Sequence, residues 1–140
     1  IIVNRENSTV DLSFNELINI FKAEKQYWGR KGMGKVYLTM RGSGSKEKEA
    51  ALKLLYRMSE EELKKFWIGK IYRGEVNDFP KVLDSGISIK KFISNIPNAI
   101  GVISYNEADD TIKVLSIDGK LPGEEGYKLT FQGDSYETKN

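Results

Sequence analysis

The chain has 140 residues, a formal net charge of +2 and 39% hydrophobic side chains, the proportions of one folded domain with a proper core and not of a disordered chain. Its Lys and Arg are interspersed with Asp and Glu, which argues against a nucleic-acid or membrane surface. It contains neither cysteine nor histidine, which excludes disulfides, thiolate metal sites and Ser-His-Asp or Cys-His chemistry.

The start, Ile1-Ile2-Val3-Asn4, reads as a short apolar strand, and its lack of an initiator methionine leads to the expectation that a signal peptide or tag has been removed. A polar loop over 5–9 leads to a helix: Ser13 with Glu16 three residues on is a capping box, and Leu12, Leu17, Ile20 and Phe21 form its apolar stripe. A loop with Tyr27 and Trp28 precedes a strand over 36–40, in which Val36, Leu38 and Met40 share a face. The spacing of Ala50, Ala51, Leu54 and Leu55 predicts a helix from Lys46 to about Arg57, and Ser59 with Glu62 opens another that buries Leu63, Phe66 and Trp67.

Residues 71–79 read as a surface connection, 81–83 as extended chain, and Ser88 as the start of a helix stopped at Ile96-Pro97-Asn98. A buried strand over 99–105, a polar turn and a strand over 112–117 complete the ordered part, with 120–140 expected to be an extended or poorly ordered tail. Strands alternating with helices predict an α/β fold, a three-layer sandwich around one mixed sheet. No apolar run approaches the ~20 residues needed to cross a bilayer.

Most motifs reduce to structure. Gly29 to Lys35 matches G-x-x-x-x-G-K, but Val36 stands where a P-loop needs Ser or Thr, and the segment follows a helix and opens a strand, the reverse of the required order. Lys46-Glu47-Lys48-Glu49 and Glu60-Glu61-Glu62 read as solvated helix faces. Glu107, Asp109 and Asp110 lack the spacing of a calcium loop and read as a hairpin turn. No signature singles out a pair of carboxylates for acid–base catalysis, so an enzyme is not expected, and neither cofactor nor metal is implied.

The most informative stretch is residues 35–49, an apolar strand running through Arg41-Gly42-Ser43-Gly44-Ser45 into a helix. The first amides of a helix lack internal partners, and the macrodipole adds roughly half a positive charge there, so such a turn either holds a small oxyanion or is capped by its own serines.

Five segments in order carry a family resemblance: Ile2-Val3-Asn4; Leu12-Ser13 with Leu17-Ile18-Asn19-Ile20-Phe21; Tyr27-Trp28; Gly42-Ser43-Gly44-Ser45; and Asn98-Ala99-Ile100-Gly101-Val102-Ile103-Ser104. Together they resemble the second lobe of the phosphate-binding solute proteins, the periplasmic receptors of ABC-type phosphate importers. The resemblance implies that residues 1–140 form a single lobe of a class II periplasmic binding protein, with the first segment as crossover strand, the second as the following helix, the glycine-serine turn as half of an oxyanion site, and the last as a core strand in which Val102 replaces an aromatic residue.

It also implies an exported, non-enzymatic binding protein, periplasmic or extracellular, with phosphate or another small oxyanion as ligand, an envelope or transporter protein as partner, and no nucleic acid or nucleotide. The ligand-binding residues carried over are Ser43, Gly44 and Ser45, with Ser45 in place of the family's threonine. Arg41 stands where the family has an acidic residue that accepts a proton from phosphate, and becomes a countercharge able to bind any tetrahedral oxyanion. The alternative is an accessory protein-interaction module that has lost ligand binding.

Overall fold

A computed structural model of the chain describes residues 1–29 and 34–131. The centre of the P-loop-like stretch, 30–33, and the end of the expected tail, 132–140, lie outside the described residues.

The main sheet has five strands: β1 (Ile2–Val3), β3 (Tyr37–Arg41), β4 (Lys81–Leu83), β5 (Ala99–Gly101) and β6 (Lys113–Val114), in the order β4-β3-β5-β1-β6. β3 runs parallel to β4 and β5, whereas β1 is antiparallel to both β5 and β6, pairing Ile2 with Gly101 on one side and with Val114 on the other. The sheet is therefore mixed, as the alternation of elements predicts. A second, two-stranded parallel sheet, β2 (Asp11–Leu12) with β7 (Ser116–Ile117), was not anticipated. It steadies the entry to α1 (Phe14–Phe21), where the Asp118 carboxylate accepts from Phe14 N–H at 3.0 Å.

Successive strand residues point to opposite faces, and each face buries its own helices. Ile1, Val3, Met40 and Ile100 pack with α1, the helix that begins at Lys46, and α3 (Glu60–Tyr72). Ile2, Ala99, Ile103 and Ile112 pack with α4 (Gly86–Asn95) through Ile89 and Ile93. The result is the expected three-layer α/β sandwich. At the end of β1, the buried Asn4 amide donates to the carbonyls of Ile93, at 2.8 Å, and Ser94, at 3.2 Å, tying the strand to the last turns of α4.

Both capping boxes form as read, Ser13 with Glu16 and Ser59 with Glu62. Five details differ from the sequence reading. The helix from Lys46 is α-helical only to Ala50 (α2, Lys46–Ala50) and continues as a π-helix, Ala51–Tyr56. The wider i→i+5 winding rotates the side chains that follow, so Leu52 and Tyr56 are buried while Leu54 is only half-buried. The buried Tyr56 hydroxyl donates to the Phe21 carbonyl at 2.9 Å, clamping this segment to the end of α1, and burial raises the phenol pKa so that it stays protonated.

Next, α3 extends to Tyr72, past the expected start of the surface connection, because the buried Lys70 ammonium is held by Glu24 at 3.4 Å and Glu75 at 3.1 Å, over the Phe66 ring. α4 begins at Gly86 instead of Ser88, with Ser85 as its cap. Finally, the strand expected over 99–105 ends at Gly101, and that over 112–117 divides into β6 and β7, which join different sheets. The imperfect alternation of the latter has this division as its cause. Residues 121–131 are turn-rich and lie against the core through Tyr127 and Leu129.

Gly101 is where the sheet and α4 come closest: a Cβ there would lie 2.5 Å from Thr39 Oγ1 and 3.0 Å from Ile93 Cδ1. The Thr39 hydroxyl donates to the Ile100 carbonyl at 2.8 Å and would lose that bond by moving away. Gly101→Ala is expected to destabilise the fold by ~1–3 kcal/mol through overpacking, read as a lower urea midpoint at unchanged slope.

Candidate functional site

The order of crossovers defines the functional edge. β3 leaves through α2 and α3 over one face to reach β4, and β4 leaves through α4 over the other face to reach β5, which lies on the opposite side of β3. The loops after β3 and β5 therefore diverge. In open α/β sheets, ligands bind at this kind of switch point, beyond the carboxyl ends of the strands. Here that place holds Arg41 to Ser45 from β3 and Val102 to Glu107 from β5.

Within the turn, the Ser45 hydroxyl accepts from Lys48 N–H at 3.1 Å and donates to the Gly42 carbonyl at 2.8 Å, making it the N-cap of α2. Ser43 and Gly44 are exposed, and among the described residues their backbone N–H groups make no hydrogen bond. Gly44 adopts φ +89°, a left-handed conformation that glycine reaches without strain. The Ser43 hydroxyl donates to Glu60 Oε2 at 2.6 Å, across to the first turn of α3. Arg41, Ser43, Gly44 and Ser45 thus follow one another from the end of β3 into α2, with both hydroxyls engaged inside the chain and Ser43 and Gly44 exposed.

The charge beside them is more deeply set. Arg41 Nη1 lies 3.2 Å from Glu47 Oε1, with the two side chains only 12% and 8% exposed. The other carboxylate oxygen of Glu47 accepts from the hydroxyl of Ser104, which arrives from the loop after β5. Arg41 Nε and Nη1 are shut off from solvent and make no hydrogen bond among the described residues. At 3.2 Å the charge attraction is present, but the donor alignment of a hydrogen bond is absent.

A second carboxylate sits at the start of α4. The Glu107 carboxylate lies against Gly86, where a Cβ would collide with it, and its Oε1 is buried without a hydrogen-bond partner among the described residues. The same loop is tied to α4 by Lys90 Nζ, which donates to the Glu107 carbonyl at 2.7 Å and to Asp109 Oδ2 at 2.8 Å. A cavity of about 210 Å³ adjoins the site; Ala51, Leu55, Ile103 and Val114 are among its walls, with Glu47 and Ser104 on its polar part.

This architecture has solved counterparts. A phosphate ABC transporter substrate-binding protein from Clostridium perfringens, solved with bound phosphate, aligns at a TM-score of 0.67 and 21% identity, covering 85% of this chain and 44% of its own. An ABC-type phosphate transport receptor from Vibrio cholerae aligns at 0.73 and 20% identity, covering 91% and 51%. PstS from Borrelia burgdorferi aligns at 0.69 and 20% identity, covering 99% and 58%. The chain has the fold of one lobe of a phosphate-transport receptor. It spans about half the length of these proteins. No protein-family model matches the sequence, nor does any curated protein.

Reading the lobe from sequence misses Glu47, Ser104 and Glu107. Glu47 lies in a run read as a solvated face, yet it is buried. The signal was available, since Glu47, Ala50, Ala51 and Leu54 follow the i, i+3, i+4, i+7 spacing of an inward helix face. Ser104 and Glu107 reach the site only because the strand stops at Gly101.

Two measurements probe this edge. Ser45→Ala removes the cap of α2 and is expected to cost ~1 kcal/mol, seen as a lower thermal midpoint by circular dichroism. Asp109 is held at about 2 by hydrogen bonds from Lys90 and Thr111. Its folded pKa lies below the unfolded value of about 4, so its contribution is complete above that value and fades as pH falls toward 2. The stability difference between wild type and Asp109→Asn, followed by urea unfolding from pH 6 to pH 2, should shrink across that window.

Proposed function

We propose that this chain is a non-enzymatic binding lobe for phosphate or a similar small oxyanion, held at the Ser43–Ser45 turn. The observation that carries this reading is the exposed Ser43-Gly44 turn, whose backbone N–H groups make no hydrogen bond among the described residues, two positions after Arg41 at the switch point of the sheet. Solved proteins with this fold are phosphate-transport receptors, one of them holding phosphate. In this lobe the amides would donate to the ion, the first turn of α2 would add its dipole, and Arg41 would supply charge-assisted bonds. The serine hydroxyls contribute only by leaving their present acceptors, Glu60 and Gly42.

One lobe leaves the ion open to water and salt on its far side, so the affinity expected of this chain alone is on the order of millimolar. A periplasmic or extracellular location, and an envelope or transporter partner that completes the enclosure, follow from the same reading. Among the described residues no helix is long and apolar enough to cross a membrane.

The alternative is an interaction module that no longer binds a ligand. The internal partners of both hydroxyls favour it. Calorimetric titration of phosphate and of sulfate into the chain and its Arg41→Ala variant separates the two. Millimolar binding that is lost in the variant supports oxyanion binding, whereas no heat from either ion with the wild-type chain supports the module.

A further inference from the structure

The most unusual group at the functional edge is the Glu47 carboxylate. It is 8% exposed, ion-paired with Arg41 and hydrogen-bonded by Ser104, so it bridges the two loops that diverge from β3 and β5. The guanidinium at the end of β3 thus faces an anion that belongs to the chain.

We infer that Glu47 acts as a tethered competitor at this edge, a built-in carboxylate that takes the countercharge of Arg41 and sets how tightly an external oxyanion is held. The inference rests on the oxyanion reading of the turn and adds to it the residue that controls affinity.

Three observations support it. A carboxylate and a phosphate offer an arginine the same kind of acceptor, so one can stand in for the other. The carboxylate is attached two residues beyond the cap Ser45, and such tethering gives an effective concentration of millimolar or more, comparable with the free anion concentration that a half-enclosed site needs. Arg41 is also left with Nε and Nη1 buried and without hydrogen bonds, so Glu47 neutralises its charge but leaves donors unused. A tetrahedral ion with several oxygens can satisfy donors that the fixed side chain cannot. Apparent affinity then equals the intrinsic affinity scaled by the fraction of molecules in which Glu47 has released Arg41. Ser104 is a positioning residue in this scheme, since its hydroxyl holds the carboxylate in place.

Titration of inorganic phosphate into the full chain and its Glu47→Gln and Ser104→Ala variants, followed by calorimetry and by amide NMR shifts of Ser43 and Gly44, tests the inference. Glu47→Gln keeps the size of the side chain and removes its charge, and is expected to tighten phosphate binding at least about tenfold, with Ser104→Ala between it and wild type. A purely structural Glu47 would lower the thermal midpoint and leave affinity unchanged or weaker. That result, with phosphate still binding the wild-type chain, overturns the competitor role and leaves the oxyanion reading standing. Absence of binding in all three chains removes the reading and the inference together. Should Glu47→Gln fail to fold, Ser104→Ala decides: tighter binding supports the competitor role and unchanged binding overturns it.

Discussion

A single buried pair of charges organises the functional edge of this lobe. Arg41 closes β3 and Glu47 lies in the first turn of α2, so the pair straddles the Gly42–Ser45 turn. Removing two charges from water costs several kcal/mol per ion unless partners compensate, and here the compensation comes from a third element, Ser104 beyond β5. The cluster therefore ties together the end of β3, the first turn of α2 and the loop after β5. With either side chain gone, the other would remain buried and uncompensated.

The likeness to phosphate-transport receptors concerns architecture. At 20 to 21% identity it speaks to the course of the chain and the order of the sheet, and it covers about half of each receptor. Sites are set by side chains grafted onto folds, and the side chains at this edge are this chain's own. A guanidinium at position 41 with a carboxylate folded back on it makes an edge whose net charge is far lower than that of an arginine beside free amides.

Legibility from sequence followed the range of the interaction. Capping boxes act over three residues, and both were readable because Ser13 with Glu16, and Ser59 with Glu62, settle their own geometry. The faces of β3 were readable because Val36, Leu38 and Met40 alternate. What could not be read depended on contacts far along the chain. Ser85 and Ser88 are equally good caps by type, and the choice of Ser85 goes with Gly86 packing beneath the Glu107 carboxylate, twenty-one positions on. The π-winding of 51–56 accompanies a hydrogen bond from Tyr56 back to Phe21. In the candidate site, the turn and Arg41 were visible as a local pattern, whereas the Glu47 partnership required Ser104, fifty-seven positions away.

The placement of β1 has a consequence for how the chain must be made. This strand lies in the sheet between β5 and β6, so residues 2–3 have no neighbours to pair with until residues 99–114 are present. Closing so long a loop is an entropic expense met late, which makes assembly slow and dependent on almost the whole length. A nascent or truncated polypeptide ending before position 99 would carry an apolar strand with both edges bare, ready to zip onto any similar strand nearby. Residues 2–3 are thus the strand whose two partners lie furthest along the chain.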